Sequence, residues 1–354
     1  MNSPDAAAPW LVFVGGFLAA GKTTLIRAAA RLLIGEGRRV AAILNDQGGD
    51  LVDTALIEQS GLTAGQVTGG CFCCRFSDLV AAADALAAHQ PEVIFAEPVG
   101  SCTDLSATIL QVLRRDHPGR FRLAPLTVLV DPAQSCAALD PGGDPDTAFL
   151  FRNQVAEADL LCFSKCDRET VFPALPSPAP VRRLSALSGW GVAAWLHEIL
   201  SGQIAPGGVT LDIDYARYAA AEAALGWLNY SVRLQLPEPL RPAAVLGPFF
   251  DALQHDLENV AVPIVHLKAI DQAESGYVKA AVSHPGEDPA VEGQLDASPG
   301  WRHELLINLR AVSDPQRLGA IVASAAKALP GRKSEERLEC FRPAAPRPEY
   351  RVPI

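Results

Sequence analysis

No run in this 354-residue chain approaches the roughly 18 uninterrupted apolar residues of a membrane-spanning helix, so membrane insertion is not expected. Clustered lysine and arginine are missing as well. With a net charge of −10 and no long basic run, the chain lacks the electrostatic footprint that DNA or RNA binding requires. The seven histidines form no H-x-H or H-x-x-x-H pair, so each reads as a surface or structural residue rather than a metal ligand. Aromatic content is only 6% against 49% apolar, a balance that suits Ala- and Leu-rich helices packed on sheets. The apolar stretch from Leu11 to Ala20 has the length of a signal-peptide core, yet residues 2–9 carry no positive charge, and the chain reads as soluble and cytoplasmic. Eight cysteines in a chain of this size do not suggest a secreted disulfide scaffold, which leaves thiol or metal chemistry. They are unevenly placed: Cys71, Cys73 and Cys74 cluster, while Cys102, Cys136, Cys162, Cys166 and Cys340 are dispersed.

What is present begins with Gly16-Phe17-Leu18-Ala19-Ala20-Gly21-Lys22-Thr23, a complete G-x-x-x-x-G-K-[ST] phosphate loop. The glycines let the backbone curl so that its N–H groups converge on phosphate oxygens. Lys22 reaches the outer phosphates, and the Thr23 hydroxyl is placed to ligate Mg²⁺. The apolar run Leu11 to Val14 leads in as a buried strand. Leu25, Ala29, Leu32 and Leu33 then recur at helical spacing and stop near Gly35 and Gly37. The contacts expected from the loop are those of Gly16, Ala19, Ala20, Gly21, Lys22, Thr23 and Thr24.

Further short β-like runs lie at Val40 to Leu44, Val93 to Ala96, Leu126 to Val130, Leu160 to Phe163 and Arg182 to Leu184. Helical stretches at Asp78 to Ala88 and Val192 to Leu200 separate some of them. The alternation predicts an α/β domain, a P-loop NTPase with a mostly parallel sheet and helices on both faces, over residues 1–208. Ligands then gather beyond the carboxyl ends of the strands, where the polar segments Asn45 to Asp53 and Glu97 to Asp104 begin. Residues 209–229 read as a connector. Residues 230–330 read as a small α+β domain in the order strand, helix, three strands, helix, and residues 331–354 as a Pro-containing tail, extended or loosely packed. Trp190, Trp195 and Trp227 are expected as packing anchors, and His266 and Lys268 on the solvated face of a strand.

Three further constellations carry chemistry. Glu97-Pro98-Val99-Gly100 closes a predicted strand. It has the layout of a Mg²⁺ and γ-phosphate sensor, with the carboxylate orienting the metal and the Gly100 N–H approaching the terminal phosphate unobstructed by a Cβ. Ser164-Lys165-Cys166-Asp167 resembles the guanine-specificity motif N-K-x-D. There Asp167 would accept from the guanine N1 and N2 donors and the Lys165 stem would lie against the base, while Ser185-Ala186 after the next strand would offer backbone contacts to O6. Serine at 164, where asparagine is usual, removes an amide that fixes the loop. Gly70-Cys71-Phe72-Cys73-Cys74 places three soft sulfurs within four residues, suited to Zn²⁺ or another thiophilic divalent ion in an open site. A buried turn or a regulatory disulfide are the other readings of that cluster. Asp46, Asp50, Asp53, Cys102 or a nearby histidine are candidates for the missing ligand, and spacing does not choose among them.

Taken in order, the phosphate loop, the N-D-x-G segment, C-x-C-C, E-x-x-G and S-K-x-D, with a small α+β domain appended, resemble the CobW-type metallochaperone GTPases, relatives of the nickel chaperones UreG and HypB. The resemblance covers nearly the whole chain. It implies a slow GTPase in which Lys22, Thr23, Glu97 and Gly100 serve GTP/GDP and Mg²⁺ and Asp167 reads guanine. Cys71, Cys73 and Cys74 would bind Zn²⁺ or an ion such as Co²⁺. The partners it implies are a client metalloprotein or metal-requiring enzyme and a second copy in a homodimer. Many members carry an acidic residue where this chain has Gly49, and some carry another where it has Leu44, a loss that Asp46 or Asp50 could offset with a shifted loop; the histidine-rich insertion of some members is missing from residues 214–229, which argues against metal storage. Two other functions fit a phosphate loop beside thiols: a metal or redox sensor with structural nucleotide, and a small-molecule kinase. The latter would need an acceptor pocket and a base that the sequence does not display.

Overall fold

The run leading into the phosphate loop is a strand buried along its whole length, β1 (Trp10–Gly16), which lies inside a parallel sheet and is therefore apolar on both faces. The computed structural model describes residues 8–48, 52–284 and 286–353, and the chain divides into two units. One comprises residues 1–47, 53–221 and 345–354, the other residues 48–52 and 222–344.

In the first unit β1 is followed by α1 (Lys22–Gly35), β2 (Val40–Asn45), α2 (Val52–Gln59), β3 (Thr63–Val67), α3 (Phe76–Ala87) and β4 (Val93–Glu97). A short π-helical turn (Ser106–Leu110) then leads into α4 (Gln111–Asp116), and β5 (Arg122–Leu123), β6 (Thr127–Val130), α5 (Pro132–Leu139), α6 (Pro145–Glu157), β7 (Leu160–Phe163), β8 (Val181–Arg183), α7 (Val192–Ile199) and α8 (Tyr215–Ala223) follow. The main sheet runs β3-β2-β4-β1-β6-β7-β8, with β5 pairing beside β1, and every pairing is parallel. This is the mostly parallel α/β sheet expected from the alternation of runs. Leu25, Ile26, Ala29 and Leu33 of α1 and Val192, Trp195, Leu196 and Ile199 of α7 share one core against the sheet. The order of strands in the sheet puts β4 between β2 and β1, so the carboxyl ends carrying Gly16, Asn45 and Glu97 lie side by side, as ligand sites in such sheets require.

The second unit is an antiparallel sheet covered by two helices. Its order is β9 (Gly226–Leu240), α9 (Pro242–Asn259), β10 (Ile264–Ala273), β11 (Gly276–Val282), β12 (Ala290–Gly293), β13 (Gly300–Ala311), α10 (Pro315–Ala325) and β14 (Arg332–Phe341), and the strands line up as β12-β11-β10-β13-β9-β14. Alternation along β9 turns Tyr230, Val232, Leu234 and Leu236 into the core against Val245, Leu246, Phe249, Phe250 and Leu253 of α9, with Arg233 and Gln235 outward. Each of these large side chains contributes about 1.5–3 kcal/mol by leaving water.

Several expectations are revised. Residues 332–341, read as part of a tail, form β14, an exposed, charged edge strand paired with β9. The end of the expected connector, Gly226 onward, is already strand, because Trp227 and Leu228 are fully buried. Trp195 and Trp227 are packing anchors, but Trp190 is 60% exposed. His266, expected on a solvated face, is buried. Residues 345–353 are not loosely packed: they belong to the first unit and make specific contacts there.

Candidate functional site

The phosphate loop owes its shape to backbone that only certain residues tolerate. Gly16 sits at φ 128°, and a Cβ there would fall 2.4 Å from the Leu129 carbonyl oxygen, so only glycine lets β1 pass β6 into the loop. Gly21, at φ 94°, caps α1 without any side-chain hydrogen bond, which leaves the first N–H groups of a 14-residue helix directed at the loop as a ready anion cradle. Ala19 also adopts a positive φ of 61°, and Ala20 is buried beside it. Lys22 is 7% exposed and its Nζ donates to the carbonyls of Gly16 (3.1 Å) and Phe17 (3.2 Å), holding the ammonium inside the loop. Thr24, in the first turn of α1, stays partly open.

The Thr23 hydroxyl meets two carboxylates, Asp53 Oδ1 at 2.8 Å and Glu97 Oε1 at 3.0 Å. A hydroxyl and two carboxylate oxygens are the hard donors that Mg²⁺ takes, and these three residues fit it. Asp53, considered from the sequence only as an extra ligand for the thiols, belongs to this oxygen cluster instead. No motif marks it; it reaches Thr23 because α2 begins one residue earlier. Gly100 presses on the loop from the other side: a Cβ there would lie 2.8–3.0 Å from Leu18. Buried Gln154 of α6 donates to the carbonyls of both Gly100 and Cys102 at 2.9 Å, fixing the segment after Glu97.

The cysteine turn is held by a residue whose role the sequence did not suggest. Asn45, the last residue of β2, donates through Nδ2 to the carbonyls of Val67 (3.0 Å) and Gly70 (2.8 Å) and accepts at Oδ1 from the Phe72 N–H (2.7 Å). In that grip the sulfurs of Cys71 and Cys73 are 2.9 Å apart, those of Cys71 and Cys74 3.2 Å, and those of Cys73 and Cys74 3.7 Å. Zn–S bonds of about 2.3 Å imply sulfur separations near 3.8 Å in a tetrahedral shell, so a thiophilic ion fits after the two closer pairs open by about 1 Å or less. Contacts with the thiols of Cys102, Cys73 and Cys74 hold Cys71 well below the ordinary thiol value. The resulting thiolate pushes Cys73 well up and Cys74 up to about 11. One negative charge is therefore accommodated readily, and a second needs a cation beside it.

The C-terminal segment closes over this turn. The Arg347 N–H donates to Cys74 Sγ at 3.0 Å and the Glu349 N–H to the Cys73 carbonyl at 2.9 Å. The Glu349 carboxylate accepts from Ser77 N and Oγ (3.0 and 2.6 Å), and Tyr350 stacks edge-on to Phe76. Of the other ligand candidates, Asp46 uses its N–H on the Val67 carbonyl, and Asp50, with Gly49, lies outside the described residues. Among the described residues no carboxylate or imidazole joins the three sulfurs, which all lie within 4.8 Å of one another.

The residues expected from the sequence to meet the base gather at the ends of β7 and β8. Ser164 is buried and its N–H bonds the Val130 carbonyl. Lys165, at φ 54°, pairs with buried Asp131 at 2.6 Å, which fixes its stem, and Asp167 is exposed. Cys166 N–H bonds the Leu184 carbonyl, which brings this loop beside buried Ser185 and partly open Ala186.

A strand, a glycine-shaped loop, a helix N-terminus and a hydroxyl facing carboxylates define a phosphate-loop nucleotide-binding protein of the α/β class. Residues 10–172 match the family described as CobW/HypB/UreG, nucleotide-binding domain. No curated protein sequence matches the chain. Among solved structures it is similar to HypB from Helicobacter pylori in complex with nickel, at 18% identity over 56% of this chain and 87% of that one (TM-score 0.42). It is also similar to the hydrogenase maturation factor HypB from Archaeoglobus fulgidus, at 15% over 56% and 90% (TM-score 0.38), and to the Zn(II)-bound YjiA GTPase from E. coli, at 13% over 92% and 99% (TM-score 0.33).

Proposed function

We propose that the chain is a Mg²⁺-dependent, GTP-binding and GTP-hydrolysing metallochaperone, slow without metal or client, that couples its nucleotide state to the binding and delivery of a thiophilic divalent ion. In this reading Lys22 and the α1 N-terminus neutralise the phosphates. Thr23, Asp53 and Glu97 hold Mg²⁺, which would offset charge on the transferring phosphoryl group, and Gly100 follows the γ-phosphate. Ser164, Lys165, Asp167, Ser185 and Ala186 take the guanine. The cargo, Zn²⁺ or an ion such as Co²⁺, is bound by Cys71, Cys73 and Cys74 and passed to a client metalloprotein.

The observation that carries the coupling is a strand register. Glu97, at the oxygen cluster, pairs across β4 and β2 with Leu44, and the next residue is Asn45, the clamp on the cysteine turn. Loops held by a γ-phosphate relax on its loss in nucleotide switches generally, and here the relaxing segment shares a ladder rung with the residue beside that clamp. Binding displaces thiol protons, so metal affinity rises with pH until the thiols are ionised. Affinities for Zn²⁺, Co²⁺ and Ni²⁺ measured with and without Mg²⁺-GTP test the reading. Nucleotide-dependent affinity that Cys73→Ser/Cys74→Ser abolishes, with GTP binding intact, supports it, whereas metal affinity indifferent to both sinks it.

A further inference from the structure

We propose that Asn308, on β13, is the positioning residue for Asp53 and thereby sets the affinity of the oxygen cluster for Mg²⁺. The inference rests on the reading above in taking Thr23, Asp53 and Glu97 as the Mg²⁺ ligands. Alternation along β9 and β13 sends Leu228, Tyr230, Ile307 and Leu309 into the core with the helices, so Trp227, Asn229, Asn308 and Arg310 project from the opposite face of the sheet. That face of an antiparallel sheet commonly meets water. Here all four residues are buried, and buried polar side chains need specific partners. Asn229 and Asn308 stand opposite each other across the β9–β13 ladder, where Asn308 Nδ2 donates to Asn229 Oδ1 at 3.0 Å. Arg310 Nη1 donates to the same oxygen at 2.9 Å and to the Leu228 carbonyl at 2.8 Å, while its guanidinium lies over the Trp227 ring, 4.1 Å from the centroid.

These partners fix which way the Asn308 amide faces. A guanidinium only donates, so the oxygen of Asn229 must meet Arg310, and Asn308 must offer its NH₂ to that same oxygen. Its own Oδ1 is left turned toward the backbone N–H of Val52, from which it accepts at 2.9 Å. Val52 is fully buried and is the first residue of α2, a position whose N–H finds no partner within the helix. Residues 48–52 belong to the same unit as Asn308, and the other end of that stretch is seated there too: a Cβ on Gly48 would fall 2.2 Å from Asn229 Nδ2. One peptide bond beyond Val52 comes Asp53, whose carboxylate meets the Thr23 hydroxyl at 2.8 Å. A leucine at 308 would fill similar space with less desolvation. What the amide adds is an acceptor that fixes where α2 starts, and with it where the Asp53 carboxylate stands. Mg²⁺ demands near-ideal octahedral geometry, so a ligand whose helix start is loosened holds it less well.

The full-length protein is compared with Asn308→Leu and Asn308→Ala, which delete the acceptor, and with Asn308→Asp, which keeps an acceptor for the Val52 N–H and places its charge beside Arg310. Exchange of the Val52 amide hydrogen, followed without Mg²⁺ or nucleotide, should be about tenfold faster or more in the first two and near wild type in the third. The Mg²⁺ concentration for half-maximal binding of a non-hydrolysable GTP analogue should rise about tenfold in Asn308→Leu and Asn308→Ala, the equivalent of one buried donor left unpaired. It should rise much less in Asn308→Asp, with nucleotide affinity in the absence of Mg²⁺ unchanged in all three. Adding Asn308→Leu to Asp53→Asn should raise it no further than Asp53→Asn alone, because the two act through one ligand. Unaltered Val52 exchange in Asn308→Leu and Asn308→Ala would overturn the proposal. So would faster exchange with an unchanged Mg²⁺ requirement, or effects that simply add to those of Asp53→Asn. A wild-type protein whose analogue binding does not respond to Mg²⁺ would instead overturn the Mg²⁺ reading of the oxygen cluster itself.

Discussion

Replacing Asn45 with alanine isolates the clamp from the ligands it positions. Asn45 is 7% exposed and makes three hydrogen bonds, but their losses are unequal. The Val67 carbonyl keeps the Asp46 N–H at 3.2 Å, whereas the Phe72 N–H and the Gly70 carbonyl lose the Asn45 amide altogether. A buried polar group left unpaired costs about 1–3 kcal/mol. Two such groups, softened by water entering the space of the lost amide, leave about 2–3 kcal/mol against the turn that gathers the sulfurs. A site whose competent form is populated less binds proportionately more weakly, and at 1.4 kcal/mol per decade the metal affinity should fall about 30- to 150-fold. Competition against a chromophoric chelator measures it, with GTP affinity as the control for a folded phosphate loop. Asn45→Asp sharpens the test: it keeps the acceptor for Phe72 N–H but turns a second oxygen toward two carbonyls, so it should bind metal no better than the alanine variant. Metal affinity within twofold of wild type in Asn45→Ala would refute the argument, as would an aspartate variant that binds normally.

Glu97→Gln and Asp53→Asn each remove one charge from the oxygen cluster at Thr23. Either should raise the Mg²⁺ concentration needed for half-maximal GTP hydrolysis by tenfold or more while leaving Mg²⁺-free nucleotide binding within a few-fold of wild type; an unchanged Mg²⁺ requirement in both would remove the cluster from the mechanism. Glu157 tests the segment beyond Cys102, since its carboxyl accepts from Thr103 Oγ1 and the Ser106 N–H at 3.1 Å and burial, its largest influence, pushes it up to about 8. A raised carboxyl favours the folded state fully below its unfolded value of about 4.5 and loses that contribution as pH rises through about 8. Between about pH 4.5 and about pH 8 wild type should lose about 1.4 kcal/mol per pH unit relative to Glu157→Gln, read from urea unfolding at pH 5, 6, 7 and 8. Parallel pH profiles for the two proteins would show that Glu157 does not titrate there.

The parts of the fold legible in the sequence were those whose burial is complete. The runs that became β1, β2, β4, β6 and β7 are apolar because both faces of the sheet are covered, and no other reading suited them. β3 and β14 escaped notice for the opposite reason. Thr63–Val67 is only partly buried, and Arg332–Phe341 is an edge strand whose charges face water, so neither shows a hydrophobic pattern. α5 and α6 did carry a signal: Asp131-Pro132 and Asp144-Pro145 start them, each aspartate accepting from an N–H two or three residues on, as Asp314-Pro315 does for α10. At the site, contiguous motifs were readable and long-range partners were not. The phosphate loop and the three cysteines declare their chemistry in neighbouring letters. Asn45 grips a turn 25 residues away and Asp53 reaches back 30 residues to Thr23, distances over which spacing holds no information until the strand order is known.

That strand order also sorts the two metals by chemistry. Thr23, Asp53 and Glu97 offer only oxygen, while Cys71, Cys73 and Cys74 offer only sulfur. Mg²⁺ has little affinity for thiolates and Co²⁺ or Zn²⁺ prefers them, so in the proposed reading millimolar Mg²⁺ and micromolar cargo would occupy separate sites without exchanging places. Excess Zn²⁺ breaks that separation, because it also accepts carboxylate oxygens and would enter the oxygen cluster once the thiols are filled. In the proposed reading, a nucleotide effect on metal affinity measured with cargo below one equivalent passes through the protein, by way of the β2–β4 ladder. Asn45→Ala, which loosens the trio itself, should then weaken metal binding in every nucleotide state, and unchanged affinity in all of them would remove the Asn45 clamp from the route.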